Sequence, residues 1–190
     1  MKPKDEGKIE EIFTATLSLV KDYGLSGITM SMIAKKSGFA TGTVYIYFQN
    51  KEELILKLFE KCMFNYSNEY FAGFDPEAPF KVAFHTIWSN MLRYSVSRFD
   101  QQIFIEQCFH SPFIPDDTRK ASKERFKPWR DLIDRGKKEK LIKDVDSVWL
   151  MIYVRGIIRE LVKYAEYNDQ QITPDMREKM FSMCWDGIKD

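Results

Sequence analysis

The sequence predicts an all-α protein with two domains, and three observations support this prediction. Glycine and proline are scarce, with 9 glycines and 7 prolines in 190 residues. Apolar residues recur at helical spacing along nearly the whole chain, which favours amphipathic helices over strands. Turn-forming residues cluster in FAGFDPEAP, residues 71–79. We therefore place a boundary between about residues 66 and 78, and predict an N-terminal domain over 1–66 and a C-terminal domain over 67–190.

The composition limits the class of protein. Apolar residues make up 44% of the chain and charged residues 30%, as in a soluble globular protein. No run approaches the roughly 18 uncharged apolar residues that span a bilayer, and the N-terminus lacks the apolar core of a secretory signal. We expect a cytoplasmic protein with no membrane partner.

The first helix is predicted over about residues 5–23. Its apolar positions follow the i, i+3, i+4, i+7 rule: Ile9, Ile12, Phe13, Thr16, Leu17 and Val20. Gly24 stands where a glycine closes a helix. Thr29 then offers an N-cap for a short helix that Gly38 ends.

The segment TVYIYF, residues 43–48, has the β-branched and aromatic alternation of a strand. A lone strand here would leave its backbone groups without partners, because nothing nearby offers a second strand. As a helix over residues 41–48, the segment turns Val44 and Phe48 inward and presents Thr41 and Tyr45 on the other side. We predict a helix, a tight glycine turn and a second helix, the helix-turn-helix pattern.

The exposed face of this second helix suits a DNA groove. It would carry Thr41, Gly42 and Tyr45, with Thr43 and Tyr47 at its margins, small or hydrogen-bonding groups that fit base edges and phosphates. Residues 24–51 contain no Asp or Glu, although the net charge of the whole chain is only +1. A locally positive surface of this kind suits an anionic partner.

A third helix is predicted to start at Lys51, with Asn50 as N-cap and Glu53 completing a capping box. The run GITMSMIAKKSGFATGTVYIYFQNKEELI closely resembles the DNA-binding segment of TetR-type transcriptional regulators, with the pattern T-x3-IA-x3-G-x4-TVY-x-YF-x-NKEEL intact. The resemblance covers about residues 6–62. For the rest of the chain, only the helical layout is similar to the family.

The resemblance implies a homodimeric regulator, most often a repressor, that binds a palindromic double-stranded DNA operator and is released by a small effector. The implied DNA-binding residues are Thr29, Ser31, Lys35, Thr41, Gly42, Thr43, Tyr45, Tyr47 and Lys51. For Lys35 and Lys36, a solvated helix face is an equal alternative to phosphate contact. Many relatives carry a long polar or basic residue where Ser31 and Thr41 stand. The side chains of this chain therefore offer few paired hydrogen bonds to a single base. An ordinary helical corner is the alternative for the whole motif.

Residues 64–113 hold nine of the fifteen phenylalanines, which indicates a packed core. Because TetR-like proteins keep an effector cavity between the corresponding helices, part of this surface is an equally good candidate for a pocket that binds an apolar or aromatic effector. The candidate ligand residues are Phe84, Trp88, Met91, Phe104, Cys108 and Tyr153. Two rival readings remain open: a DNA-binding regulator with a solid core and no ligand, and a helical enzyme that uses the aromatic cavity.

Catalytic and cofactor motifs are missing from the sequence. It contains no GxSxG motif and no phosphate-binding loop, so we expect no enzyme. A metal site from His85, Glu106 and His110 is conceivable because the last two stand at i, i+4, but structural or pocket-lining histidines fit better. Cys62, Cys108 and Cys184 form no CxxC pair and are expected to be buried thiols. We predict no cofactor.

Further helices are predicted at about residues 79–96, 99–110, 117–138, 145–168 and 174–188. The basic run over 119–140 is interpreted as a solvated helix face, with a second nucleic-acid surface as the alternative. The last two helices carry more apolar surface than their own domain needs, which suggests a four-helix interface between two copies. The candidate dimer residues are Trp149, Ile152, Ile157, Leu161, Met180, Phe181 and Trp185.

Overall fold

The computed structural model describes residues 5–109 and 111–190. Within these ranges the regular structure is helical, apart from one isolated bridge that pairs Ile142 with Lys189, and this confirms the all-α prediction. The helices are α1 Glu6–Gly27, α2 Met30–Ser37, α3 Thr41–Tyr47, α4 Lys51–Tyr70, α5 Phe80–Ser97, α6 Phe99–Phe109, α7 Asp116–Glu124, α8 Lys127–Lys138, α9 Ser147–Tyr167 and α10 Pro174–Ile188. No helix in the described ranges is both long and apolar enough to cross a membrane.

The chain forms two compact units. The first unit contains the residues up to Asn65 together with Arg98–Ser122, and the second contains Tyr66–Ser97 and Lys123–Asp190. One division falls at residues 65–66, and Arg98–Ser122 groups with the N-terminal helices. The domain ranges 1–66 and 67–190 stay a prediction. In the first unit, Lys21 Nζ lies 3.0 Å from Asp100 Oδ1, so an ion pair joins α1 to α6. The assignment of DNA binding and ligand binding to separate domains stays a prediction.

One helix predicted over residues 117–138 is wrong, because two helices occupy this range. α7 ends at Glu124 and α8 begins at Lys127, with Pro128 in the first turn of α8. Proline has no backbone N–H and its ring disfavours helical backbone in the residue before it, so a helix readily starts at this position but does not continue through it. The alternating charges of residues 119–140 gave no indication of this break.

The core of the second unit is aromatic. The ring centroid of Phe84 lies 5.4 Å from that of Trp129 and 6.1 Å from that of Phe181. Trp88 meets Phe181 edge-on at 5.3 Å. Offset and edge-to-face geometries of this kind add a favourable electrostatic term to the burial of the rings.

Gly136 in α8 is predicted to be intolerant of a methyl group. A Cβ at this position would overlap the ring of Phe80, and that ring is held against Phe84 at 6.1 Å and Trp185 at 6.0 Å. Gly136→Ala should therefore lower the free energy of unfolding by about 1–3 kcal/mol, the usual cost of overpacking, although alanine is a better helix former than glycine.

The matched control, measured without DNA, is Gly42→Ala in α3, where a Cβ meets nothing within 4 Å. This variant should be more stable than the wild type by about 0.5–1 kcal/mol, from helix propensity alone. Urea denaturation at one fixed protein concentration measures both values. Effects of the same sign in the two variants would contradict the assignment of Gly136 as a packing residue.

Candidate nucleic-acid interface

The turn between α2 and α3 follows from local hydrogen bonding. The Thr29 side chain caps α2 by accepting a hydrogen bond from Met32 N. Gly38 adopts the left-handed conformation at φ 76°, which is open to glycine without the strain that a Cβ imposes. The N–H of Phe39 donates to the carbonyl of Ala34 at 3.0 Å. These contacts satisfy the free carbonyl groups at the helix end and turn the chain into α3.

The strand-like segment is helical, as predicted. Val44 is 0% exposed and Phe48 is 2% exposed, and the ring of Phe48 lies 5.5 Å from that of Phe13 in α1. On the opposite side, Tyr45 is 50% exposed and Ile46 is 69% exposed. Packing of the inner residues thus overrides the strand propensity of the segment, and it leaves the outer residues free of the core.

Most of the predicted DNA-binding residues are exposed. Those that are exposed are Thr29, Ser31, Lys35, Thr41, Gly42 and Tyr45, and Thr43 is partly exposed. Tyr47 differs from the expectation that it lies at the margin, because it is only 8% exposed. The turn of the helix places it beside Val44 and Phe48 on the inner face. A phosphate contact by Tyr47 stays a prediction. It would have to be made by the hydroxyl group, because most of the ring is buried.

Lys51 has an internal partner that the sequence did not indicate. Its ammonium donates to the carbonyl oxygen of Ile28 at 2.7 Å and lies 5.4 Å from the centre of the Phe113 ring. Partial burial lowers the pKa of Lys51, although the nearby Glu52 carboxylate opposes the shift. One of its three N–H donors therefore holds the link between α1 and α2 against the start of α4. The phosphate contact expected of Lys51 would use the remaining donors.

The start of α4 is capped as expected. Asn50 Oδ1 accepts a hydrogen bond from Glu53 N at 2.8 Å. The Glu53 carboxylate reaches back to Gln49 N at 2.6 Å, one residue before the N-cap. Both bonds satisfy backbone donors at the end of α3 and the start of α4, and they fix the direction in which the chain leaves the interface.

A hydrogen bond from α6 also supports the interface helices, and it was missed at the sequence level. Gly24 has φ 71° and interrupts α1, so the following residues leave the regular helical bonding pattern. The Leu25 N–H donates instead to Gln107 Oε1 at 2.7 Å. Because the two residues are far apart in the chain, no local pattern could have indicated this contact.

The predicted ligand residues are divided between the two units. Phe84, Trp88 and Met91 are buried in the second unit, and Phe104 and Cys108 are buried in the first. Tyr153 is 41% exposed. Two open grooves among the described residues, one beside Phe74 and Leu132 and the other beside Thr14 and Ser18, contain none of the predicted ligand residues. Ligand binding by these six residues stays a prediction.

The alternative metal site has no support from the described residues. No group of three or more His, Cys, Asp or Glu side chains lies close enough together to hold a metal ion within residues 5–109 and 111–190. His85 Nε2 lies 3.5 Å from Ser89 Oγ, and its ring packs edge-on against Phe181. His110 lies outside the described residues.

The predicted dimer residues divide into two sets. Trp149 (69% exposed), Ile152 (53%) and Leu161 (37%) lie on the outside of α9, and Ile157 is partly exposed. The candidate residues of α10 differ from these. Met180 and Phe181 are buried, and Trp185 is partly exposed and packs against Phe84 at 5.8 Å. A contribution of these three side chains to a dimer interface stays a prediction.

The outward face of α9 also carries residues that the sequence analysis did not select. Tyr164 is 61% exposed and Tyr167 is 68% exposed, and Met183 of α10 is 69% exposed. Helical spacing places Tyr167 in line with Trp149 and Tyr164 about 60° from it, so both tyrosines lie on the outward side of α9. An apolar and aromatic surface of this extent on one helix is typical of an interaction site.

The three cysteines are free and buried, and their pKa values give a testable pH dependence. Burial raises the pKa of Cys62 to about 12 and that of Cys184 to about 11, and it also raises the pKa of Cys108. Above pH 9 the unfolded chain therefore loses thiol protons that the folded chain keeps. Stability from these groups is complete below pH 9 and declines as the pH rises toward the folded-state pKa values.

We expect the free energy of unfolding to fall between pH 9 and pH 10.5 by about 1.4 kcal/mol per pH unit for each buried thiol. The measurement is urea denaturation at several pH values for the wild type and for Cys62→Ala and Cys184→Ala. Each variant should show a shallower decline than the wild type. Identical slopes in all three proteins would show that the thiols ionise equally in the folded and unfolded chains.

Two family models match the chain. Residues 12–58 match the family described as bacterial regulatory proteins, tetR family. Residues 59–190, more than half of the chain, match the family described as tetracyclin repressor-like, C-terminal domain.

Individual proteins match over almost the full length. An HTH-type transcriptional regulator of Haemophilus influenzae is 23% identical over 180 residues, which cover 95% of each chain. A TetR family transcription regulator from Marinobacter aquaeolei VT8 has a crystal structure that covers 100% of both chains at 25% identity, with a TM-score of 0.87. The transcriptional regulator FadR from Bacillus subtilis, solved with stearoyl-CoA, covers 94% of this chain and 98% of its own at 21% identity, with a TM-score of 0.67.

Proposed function

Because this chain belongs to the TetR family of transcriptional regulators, we propose that it is a repressor that binds a palindromic DNA operator as a homodimer and leaves it when a small apolar or aromatic molecule binds. The family consists of regulatory proteins rather than enzymes. A regulator of this kind acts on chromosomal DNA, so we place the protein in the cytoplasm.

The observation that carries the proposal is the outer face of α3. The inner residues of this short helix are buried in the core, while Thr41, Gly42 and Tyr45 are exposed. No acidic residue lies between Gly24 and Lys51, so no carboxylate there would repel phosphates. A helix of this width fits the major groove, where hydroxyl groups can contact bases and phosphates.

Dimerisation is supported by the exposed face of α9. In a two-fold dimer the same surface meets itself, so Trp149 and Ile152 would be buried against their counterparts. Two recognition helices related by a two-fold axis would read two half-sites of a palindrome. The second copy would therefore increase both the affinity and the length of the sequence that is read.

Release by an effector requires that ligand binding favours a conformation with lower affinity for DNA. α4 is one route for such a change, because it runs from Lys51 beyond the boundary of the first unit at Asn65. The chain passes between the units again at residues 97–98 and 122–123. α6, whose Gln107 accepts a hydrogen bond from Leu25 N, is therefore a second route.

A second candidate is a regulator that needs no ligand. It is favoured by the close packing of Phe84, Trp88 and Met91, each at most 2% exposed. Because so little of these side chains is accessible, an effector that contacts them would have to open the core. Proteins open locally at a lower cost in free energy than global unfolding, so such an opening of the core is physically accessible.

The two candidates are separated by a release experiment. DNA fragments bound by the protein are first selected from a genomic or random pool. The complex is then titrated with a panel of apolar and aromatic compounds, including stearoyl-CoA because a protein of the same fold was solved with it. A gel-shift assay reports release, and a thermal shift reports binding.

The repressor proposal predicts that at least one compound both raises the melting temperature and releases the DNA. Tyr45→Ala is the matched control, since it should keep the thermal shift while losing DNA binding. DNA binding that no compound of the panel affects, with no thermal shift, would favour the ligand-independent candidate. A protein that binds no DNA fragment would contradict both.

A further inference from the structure

The outer face of α3 lacks the side chains that usually identify bases. Residues 41–47 are Thr, Gly, Thr, Val, Tyr, Ile and Tyr, with no Arg, Lys, Asn, Gln, Asp or Glu. Bidentate contacts of Arg or Lys with guanine and of Asn or Gln with adenine therefore cannot come from this helix. The base-edge feature that suits an apolar side chain is the C5-methyl group of thymine.

Ile46 is the most exposed large apolar residue of α3, with 69% of its surface exposed. Gly42 lies one turn earlier and is also exposed, and a Cβ at this position would meet nothing within 4 Å. Side chains on a helix lean toward its N-terminus, so Ile46 extends over the turn that contains Gly42. The absence of a side chain at Gly42 leaves space for a base edge to approach Ile46.

The side chain of Ile46 is also suited to a fixed contact. Isoleucine is branched at Cβ and keeps one main χ1 rotamer in a helix, so little conformational freedom is lost when it meets a partner. Val44 and Phe48 anchor the inner side of the same helix at 0% and 2% exposure. The branched methyl groups are therefore held at the surface by a helix that is itself held by the core.

On the basis of the proposed function, we infer that Ile46 is a specificity-determining residue that recognises a thymine methyl group in each half-site. Duplex DNA is the occupant that fits this apolar side chain, because the stretch from Gly24 to Lys51 carries lysines and no acidic residues. Such a charge pattern favours a polyanion over an apolar protein surface. The operator should consequently contain an A·T pair at the position that faces Ile46.

The inference is tested by removing the methyl group from the DNA and the side chain from the protein. Each thymine of a selected operator fragment is replaced in turn by deoxyuridine, which keeps the hydrogen-bonding groups and lacks only the methyl. Affinities are measured for the wild type and Ile46→Ala. In the wild type, deoxyuridine at one symmetric pair of positions should weaken binding by about fourfold per methyl group, the effect of losing one buried carbon.

In Ile46→Ala, deoxyuridine at the same pair of positions should cause no further loss. Tyr23→Ala is the control, because Tyr23 is 61% exposed on α1 outside the proposed surface, so the loss caused by deoxyuridine should persist in it at wild-type affinity. Circular dichroism verifies that the exposed substitutions leave the helices intact.

Equal binding of thymine and deoxyuridine fragments by the wild type at every position would overturn the inference and leave the proposed function standing. A deoxyuridine effect that persists unchanged in Ile46→Ala would overturn it as well. A wild-type protein that binds no selected fragment would overturn the proposed function and this inference together.

Discussion

Ile152→Asp is expected to convert the protein into a folded monomer that has lost most of its operator affinity. Ile152 is 53% exposed on α9, so a carboxylate there costs the isolated chain little. In a two-fold interface built on α9, both aspartates would lose hydration, and the two like charges would be brought closer together. Substitutions at the centre of an interface commonly cost at least about 2 kcal/mol, and here each copy contributes one.

The control is Val82→Asp, which places the same residue at a helical position that is 57% exposed on α5. Both variants replace an exposed β-branched residue of a helix with aspartate, so the change in net charge is the same in the two proteins. Sedimentation analysis should give a monomer for Ile152→Asp and the wild-type mass for Val82→Asp, with helical circular dichroism in both. A dimeric Ile152→Asp variant would contradict the assignment of α9.

Tyr45→Ala is expected to lower operator affinity by about 30-fold or more without unfolding the protein. A base or phosphate contact of this kind is worth roughly 1–3 kcal/mol, and a dimer loses it twice. The ring is 50% exposed, and an exposed substitution of this type changes the free energy of unfolding by about 0.5 kcal/mol or less. Affinity and stability should therefore respond independently.

Tyr23→Ala is the matched control, because Tyr23 is also an exposed helical tyrosine, at 61%, and lies on α1 outside the proposed surface. Gel-shift titrations with a selected fragment should show wild-type affinity for Tyr23→Ala. Equal affinities of the two variants would mean that the outer face of α3 does not contact DNA. Tyr47→Ala is less informative, since Tyr47 is 8% exposed and its removal should also destabilise the unit.

The predictable parts of the fold are those set by local chemistry. Thr29, Gly38 and Asn50 occupy the cap positions that their side chains or backbone freedom indicated. The helical state of residues 41–47 was also predictable, although their propensity favours a strand. A strand there would have lacked a hydrogen-bonding partner, whereas a helix buries Val44 and Phe48.

The parts that were not predictable depend on contacts between distant segments. The Gln107 side chain reaches Leu25, and Lys51 reaches both Ile28 and Phe113. Neither contact has a periodic signature in the sequence. The same limitation applies to α10, where apolar periodicity identified a buried face but not whether Phe181 packs in its own unit or in a second copy.

The candidate interface thus has two parts. One is the exposed face of α3, and the other is the set of contacts that hold α3 in place, which the helix-turn-helix motif does not include. α3 presents few polar side chains, so accurate placement of the helix matters more than the strength of any one contact. That placement depends on Phe48 against Phe13 and on Lys51 at the Ile28 carbonyl. Specificity would then come from position, a methyl contact and the shape of the groove.

Selection of genomic DNA fragments by the wild-type protein, followed by sequencing, tests the central claim most directly. The account predicts a motif with two-fold symmetry whose half-sites are separated by about one turn of DNA, or a multiple of it. The motif should be lost with Tyr45→Ala and kept with Tyr23→Ala. Failure to enrich any motif, or recovery of the same motif with Tyr45→Ala, would contradict the claim that the outer face of α3 reads DNA.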